Sequence, residues 1–259
     1  MNAKDDEKLP VMADGGDEAH ASVPEPKASS SGHLIARMSE TGLLATRQLE
    51  ERRLIHREDS VRTQSDAFRE IRTRLLWLGG DANFVTLVVP VSPKSGGSFV
   101  ARNLATAFAF DESKTSLLID CNLRYPAQHK ALGVDPLNGG LIDYLEHPAI
   151  GIQSALYSTG IPRLRLIPAG TLRENSGEYF SSFRMRAVID SLRCRYLDRF
   201  LFLDGPAIKG SPDARILSDL ADFVVVVAGY GRDTPAAISQ AVANFDADKL
   251  AGVVFNYAP

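Results

Sequence analysis

The chain has 259 residues, of which 44% are hydrophobic and 24% are charged, and its formal net charge is -3. A chain of this length can bury one sizeable core, and the near-neutral charge argues against a dedicated nucleic-acid binder, which would carry a basic excess. No run of about 18 or more apolar residues is present, so no membrane-spanning helix is expected. Two cysteines, Cys121 and Cys194, are too few for a disulfide framework or a metal cluster. The composition predicts a soluble cytoplasmic protein.

Composition divides the chain into three segments. Residues 1–33 are polar and rich in acidic side chains, with few apolar residues to offset the entropy of ordering, so they are predicted to form a disordered acidic tail. Residues 34–80 contain much Leu, Arg and Glu and predict a helical extension, with helices at 34–40 and 65–78. Residues 81–259 form the predicted main domain.

The main domain alternates apolar strands with helices. Its first strand, Phe84–Val89, is a continuous apolar run rich in β-branched residues, which is typical of a strand buried on both faces. Strands that alternate with helices imply right-handed crossovers and a parallel sheet. The sequence therefore predicts an α/β fold with a doubly wound, mostly parallel sheet. The other predicted strands are 116–120, 164–168, 200–204, 223–227 and 252–255, and the predicted helices are 103–110, 141–145, 184–195 and 234–245.

A loop of small residues follows the first strand and leads into a helix. Such a loop presents unpaired backbone N–H groups to an anion, and the helix dipole adds positive potential. Taken alone, the segment could equally be a plain strand-to-helix turn. The predicted nucleotide-binding residues are Ser92, Pro93, Lys94, Ser95, Gly96, Gly97, Ser98 and Phe99.

Two later strands end in an aspartate, Asp120 and Asp204. Ligands of doubly wound sheets bind beyond the carboxyl ends of the strands. A carboxylate at the tip of an apolar strand is costly unless it is solvated, capped or bound to a cation. Each aspartate alone could be a helix cap or a turn former, but the pair together with the anion loop favours a nucleotide–magnesium site.

These motifs resemble those of the bacterial tyrosine kinases of exopolysaccharide and capsule synthesis, a branch of the MinD/ParA-type P-loop ATPases. The modified Walker A loop of that family is similar to Ser92–Phe99, its second acidic motif to Asp120–Arg124, and its Walker B motif to Asp204–Pro206. The segment Asp66–Thr73 is similar to the helix that mediates ring assembly in the family. The resemblance covers roughly residues 60–257 and implies a P-loop NTPase fold.

The resemblance also implies cofactors, partners and residue roles. ATP and Mg²⁺ would be the cofactors, and copies of the chain would form a homo-oligomer. A membrane-embedded polysaccharide chain-length regulator would be the partner, which would place the chain at the inner face of the cytoplasmic membrane. The implied catalytic residues are Asp120, Arg124 and Asp204, the metal ligands are Ser98, Asp120 and Asp204, and the oligomerisation residues are Asp66, Arg69 and Arg72.

Three departures from the family fall on positions that carry its chemistry. Gly97 stands where a P-loop has the lysine that reaches the β- and γ-phosphates. Asn122 replaces the second aspartate of the acidic motif, and the tyrosines are scattered rather than clustered near the end. Losing one preorganised charge contact typically costs ~10²–10³ in rate. Lys94 could supply a substitute ammonium group, or it could simply face solvent.

Three functions stay open on the sequence. The first is a regulatory or scaffolding protein of polysaccharide assembly with impaired ATP chemistry. The second is a working tyrosine autokinase that uses ATP and Mg²⁺, with Lys94 or a partner residue replacing the missing lysine and Tyr257 or another protein as substrate. The third is a MinD/ParA-like positioning ATPase.

Overall fold

A computed structural model describes residues 42–172 and 176–257. The predicted acidic tail, 1–33, and the predicted helix at 34–40 lie outside these ranges. Within them the chain forms one mostly parallel sheet with helices on both faces, which confirms the α/β, doubly wound prediction. None of the described helices combines the length and the apolar character that a membrane crossing needs.

The sheet has seven strands in the order β3-β4-β2-β5-β1-β6-β7. Every neighbouring pair is parallel except the β3–β4 pair, which is antiparallel. Strands β1, β2 and β5 lie in the interior of the sheet and are buried along their whole length, as their apolar runs predict. The strands are β1 (Val85–Pro90), β2 (Thr115–Asp120), β3 (Tyr157–Ser158), β4 (Leu164–Ile167), β5 (Arg199–Asp204), β6 (Phe223–Gly229) and β7 (Leu250–Asn256).

Helices precede and connect the strands. The described helices are α1 (Thr46–Glu51), α2 (Arg62–Gly79), α3 (Gly97–Ala109), α4 (Gln128–Leu132), α5 (Leu141–Glu146), α6 (Ser176–Phe180), α7 (Phe183–Cys194), α8 (Asp213–Ser218) and α9 (Pro235–Val242). Short 3₁₀ turns occupy Asp59–Val61, Pro148–Ile150, Ile152–Ala155 and Ala247–Lys249. Helix α3 begins at Gly97, before the predicted 103–110, because Gly97 and Ser98 carry no apolar periodicity.

Two hydrophobic cores lie on opposite faces of the sheet. Along β1, Val85, Leu87 and Val89 point into one core, whereas Val88 points into the other, as the two-residue period of a strand requires. Helices α5 to α9 cover the first core and helices α2, α3 and α4 cover the second. The carboxyl ends of the parallel strands therefore open at one edge, where the loops to the helices begin.

The segment 42–61, which precedes α2, lies across helix α3. Leu54 and Ile55 are buried in the second core. The buried side chain of Asn103 fastens this segment to α3: its Oδ1 accepts from the Ile55 N–H at 2.8 Å, and its Nδ2 donates to the Arg53 carbonyl at 3.1 Å. Residues 42–61 of the predicted N-terminal extension are therefore packed on helix α3.

We expect Asn103→Ala to lower the free energy of unfolding by about 1–3 kcal/mol, because it leaves a buried backbone N–H and carbonyl without their partners. The matched control is Asn244→Ala, on an exposed surface after α9, where the amide bonds only to the carbonyls of Gln240 and Ala241. Urea denaturation of both variants measures the difference. Equal losses in the two variants would contradict the anchoring role.

Candidate nucleotide and metal site

The loop between β1 and α3 has the backbone of an anion-binding turn. Gly96 has a φ of 94° and directly precedes the first residue of α3, a left-handed conformation that favours glycine. Lys94 also has a positive φ, 69°, which is uncommon for a residue with a Cβ. The loop therefore presents the open N-terminus of α3 at the carboxyl edge of the sheet, as the sequence predicts.

Asp233, which follows strand β6, holds this loop in place. The hydroxyl of Ser95 donates to Asp233 Oδ2 at 2.6 Å, the hydroxyl of Ser92 donates to Oδ1, and the Gly229 N–H donates to Oδ2 at 2.8 Å. Partial burial raises the pKa of Asp233, but these hydrogen bonds outweigh it and the pKa is lowered overall. Through the side chains of Ser92 and Ser95, Asp233 thus holds the loop in position. No sequence motif singles out Asp233.

Asp120 and Asp204 lie side by side at the ends of strands β2 and β5. The parallel register pairs them directly, and both are fully buried. Burial, together with the charge of Asp204, raises the pKa of Asp120 to about 8. Burial also raises the pKa of Asp204 to about 6, although the side chains of Gln128 and Ser98 favour its charged form. Two buried carboxylates this close favour a shared proton or a bound cation.

The carboxylate of Asp120 caps helix α4. It accepts hydrogen bonds from the backbone N–H groups of Asn122 at 3.2 Å, Ala127 at 3.0 Å and Gln128 at 3.0 Å. The contacts of this side chain are therefore those of a helix cap, one of the alternatives that the sequence left open. Its predicted catalytic and metal-binding roles stay predictions.

Gln128 joins the three motifs. Its amide Nε2 donates to Asp204 Oδ2 at 2.6 Å and to the Ser98 carbonyl at 2.9 Å, while its backbone N–H donates to Asp120. Gln128 is fully buried, and sequence reasoning missed it because a lone glutamine carries no spacing signal.

A divalent cation suits this arrangement. Among the described residues, Asp204 Oδ1 and Gln128 Oε1 are buried acceptors that no donor satisfies. Carboxylate and amide oxygens are hard ligands that Mg²⁺ accepts, with phosphate oxygens and water completing its shell. The described chain offers no group of three His, Cys, Asp or Glu side chains for a metal. Asp204 and the predicted ligand Ser98 therefore fit a magnesium ion that is shared with a phosphate.

A pocket of about 620 Å³ opens beside the loop, within the usual size of small-molecule sites. It contains most of the predicted nucleotide-binding residues, but Ser92, Ser95, Asp120 and Asp204 do not line it. The predicted site residues in its lining are Pro93, Lys94, Gly96, Gly97, Ser98, Phe99 and Arg124. Residues that sequence reasoning left out of the site are Tyr125, Lys209 and Asp213, among others; Tyr257, which the sequence offered as a possible substrate, also lines the pocket.

Gly97 is packed against the end of strand β1. A Cβ at this position would lie 2.5 Å from Pro90 Cδ, 2.9 Å from Pro90 Cγ and 3.1 Å from the Pro90 nitrogen. Such distances are below van der Waals contact, so the backbone or the proline ring would have to move. The position where a P-loop has its lysine is therefore closed to any side chain in this structure.

The predicted oligomerisation residues differ in their surroundings. Asp66 and Arg69 are each about half exposed and form an ion pair of 3.1 Å on the surface of α2. Arg72 is partly buried and donates from Nη1 to the carbonyl of Ala107 at 2.8 Å, at the end of α3. The guanidinium of Arg72 is thus engaged within its own chain.

Sequence comparison finds relatives of this chain among the bacterial tyrosine-protein kinases. The chain is 32% identical over 194 residues to the tyrosine-protein kinase wzc of Salmonella typhimurium, covering 74% of this chain and 26% of that protein. It is 28% identical over 210 residues to the tyrosine-protein kinase YwqD of Bacillus subtilis, covering 80% of this chain and 86% of that protein. The chain therefore spans about a quarter of the Salmonella relative. No protein-family model matches it.

Solved structures with a similar fold are found as well. The chimerical protein CapA2B2 superposes with a TM-score of 0.69 at 25% identity, covering 88% of this chain and 99% of that one. The BceF tyrosine kinase domain superposes with a TM-score of 0.68 at 26% identity, covering 84% and 92%. The cell division ATPase MinD of Pyrococcus furiosus shares the fold at a TM-score of 0.53 and 22% identity, covering 66% and 70%. The predicted P-loop NTPase fold is confirmed.

In the absence of divalent cations, we expect the contribution of Asp120 to the stability of the protein to fall as the pH rises from about 4 to about 8. The pKa of Asp120 rises from 3.8 to about 8 on folding, so the folded state binds the proton more tightly and loses this advantage as the unfolded chain ionises. One such group changes the free energy of unfolding by at most about 1.4 kcal/mol per pH unit. Urea denaturation across this range measures the slope, which Asp120→Asn should flatten. An unchanged slope in that variant would show that the raised pKa of Asp120 does not cause this pH dependence.

Proposed function

We propose that this homologue of the bacterial tyrosine-protein kinases acts as a regulatory or scaffolding protein of exopolysaccharide biosynthesis with impaired ATP chemistry. The observation that carries the proposal is the contact between Gly97 and Pro90, which leaves no space for a lysine in the first turn of α3. Phosphoryl transfer depends almost entirely on preorganised charge contacts to the phosphates. A site without its principal cation therefore transfers phosphate slowly, whatever its affinity for nucleotide.

The acidic residues support the same conclusion. The Asp120 carboxylate accepts hydrogen bonds from the backbone N–H groups of Ala127 and Gln128 at the start of α4 and from that of Asn122, so using it on a substrate hydroxyl would require breaking part of that cap. Asn122, the second position of the acidic motif, carries an amide that cannot take a proton as a carboxylate can. Both changes weaken general-base catalysis.

Nucleotide binding is the part of the family chemistry that these residues can still perform. Backbone N–H groups at the start of α3 would bind phosphate oxygens. Asp204 and Ser98 would hold Mg²⁺, which supplies charge neutralisation between phosphates when it is bound. We therefore propose weak binding of ATP and Mg²⁺ together with slow or absent transfer.

Assembly and location follow from the same family. We propose a membrane-embedded chain-length regulator as partner, and with it a position at the inner face of the cytoplasmic membrane. Homo-oligomer contacts would use Asp66 and Arg69, whose charges are exposed on α2, rather than Arg72, which already bonds to Ala107.

One observation favours the autokinase as second candidate. Tyr257 lines the same pocket as the loop, and its hydroxyl lies 3.6 Å from the place that a Cβ on Gly96 would occupy. A tyrosine this close to the phosphate loop, with Lys94 in the same lining, could serve as an acceptor. The likeness to MinD supports the fold alone, and it leaves the positioning ATPase as the third candidate.

Phosphotyrosine formation separates these candidates. The purified chain is incubated with γ-labelled ATP and Mg²⁺ beside the variants Asp204→Asn and Tyr257→Phe. We expect no label on tyrosine above the level of Asp204→Asn, since the principal phosphate cation is missing. Label that disappears in both variants would overturn the proposal and establish the autokinase.

Restoring the lysine should require a second change. We expect Gly97→Lys and the smaller Gly97→Ala each to destabilise the protein by about 1–3 kcal/mol, because the added Cβ overlaps Pro90. Pro90→Ala removes the two closest ring carbons, so Pro90→Ala/Gly97→Lys should recover stability relative to Gly97→Lys and bind ATP more tightly than the unmodified chain. Urea denaturation and nucleotide titration measure both effects, with Pro90→Ala alone as control. A fully stable Gly97→Lys variant would show that the contact does not close this position.

A further inference from the structure

Lys209 belongs to none of the sequence motifs, yet it lines the nucleotide pocket. It lies in the segment that follows β5 and Asp204. Two hydrogen bonds fix this segment beside the phosphate loop: the Ile208 N–H donates to the Pro90 carbonyl at 3.0 Å, and the Lys209 N–H donates to the Val91 carbonyl at 3.1 Å. The backbone of Lys209 is thus held next to the strand end from which the loop departs.

The charge of Lys209 is not compensated by the described residues. Its side chain is exposed. Within residues 42–172 and 176–257, its ammonium group forms no hydrogen bond or ion pair. Two other cations, Lys94 and Arg124, line the same pocket, against the single acid Asp213. The pocket consequently carries a net positive charge, which attracts an anionic ligand.

The backbones of Lys94 and Lys209 are held in different ways. Lys94 is the third residue of a tight turn closed by the Ser95 N–H and the Ser92 carbonyl at 3.2 Å, so its side chain leaves from the corner of the loop. Lys209 leaves from a backbone that is hydrogen-bonded to the central strand β1 and its continuation. The backbone of Lys209 is therefore fixed, whereas its exposed side chain becomes ordered when the ammonium group binds a phosphate.

We propose that Lys209 binds the β- and γ-phosphates of the nucleotide and supplies the positive charge that a lysine at position 97 would supply. The ligand class is a nucleoside di- or triphosphate, because the pocket joins cations to the open N-terminus of α3. This inference rests on the proposed function only in assuming that the pocket still holds nucleotide. Lysine suits the task as a point charge on a flexible four-carbon stem.

The test compares a series of ligands that differ in phosphate number. Fluorescent analogues of ATP, ADP and AMP are titrated in Mg²⁺ against the full chain, Lys209→Gln, Lys209→Arg and the control Lys130→Gln, an exposed lysine on α4 outside the pocket. We expect Lys209→Gln to weaken ATP binding about ten-fold and AMP binding much less, since one charged contact to phosphate is lost. Lys209→Arg should retain most of the affinity, and Lys130→Gln should match the unmodified chain.

Each other outcome has one meaning. Equal ATP affinities of Lys209→Gln and Lys130→Gln overturn the inference and leave the proposed regulatory function standing. An equal loss for ATP and AMP in Lys209→Gln also overturns it, because AMP lacks the β- and γ-phosphates that the lysine is proposed to bind. Absence of nucleotide binding by the unmodified chain overturns it and leaves a scaffold. Robust tyrosine phosphorylation by the unmodified chain refutes the proposed function whatever Lys209 does.

Discussion

The parallel register of β2 and β5 is the constraint on which the rest of the site depends. It places Asp120 opposite Asp204 in a region without solvent, where two bare carboxylates would repel each other. Both carboxylates accept hydrogen bonds: Asp120 from backbone N–H groups at the start of α4, and Asp204 from the Gln128 amide. Helix α4 in turn accepts the guanidinium of Arg52 at its last carbonyl, Leu132. The acidic pair is thereby linked to the N-terminal extension.

The phosphate loop is stabilised in a similar way from its far side. Asp233 accepts both serine hydroxyls of the loop, so these groups support the backbone and do not face a ligand. What the loop then offers to an anion is the field of α3 and its free N–H groups. Because Gly97 contributes no charge, further attraction must come from side chains on other segments, and the pocket lining supplies Lys94, Arg124 and Lys209.

The sequence was sufficient for six of the seven strands but not for β3, which has two residues, nor for the contacts around the acids. Continuous apolar runs identify buried strands, since burial on both faces removes every polar position. Helices α1, α4, α6 and α8, of five or six residues each, were not predicted; a segment this short often shows too little periodicity to identify a helix. Gln128 bonds to an aspartate 76 positions away, and Asp233 to a serine 138 positions away. Such pairs follow from the folded arrangement of strands, and no local spacing encodes them.

The contact that closes position 97 affects nucleotide binding and phosphate transfer differently. A lysine on the first turn of a helix moves little, so its charge is in place before the reaction begins and can act selectively on the transition state. Lys209 projects from a loop and is exposed, so its ammonium group must be ordered by the phosphate that it binds. Much of its interaction energy is then realised in the ground state, which favours holding nucleotide over transferring its phosphate. A chain that retains the pocket but replaces a preorganised cation with an adaptable one would respond to bound nucleotide without rapid phosphate transfer, as the proposed regulatory function requires.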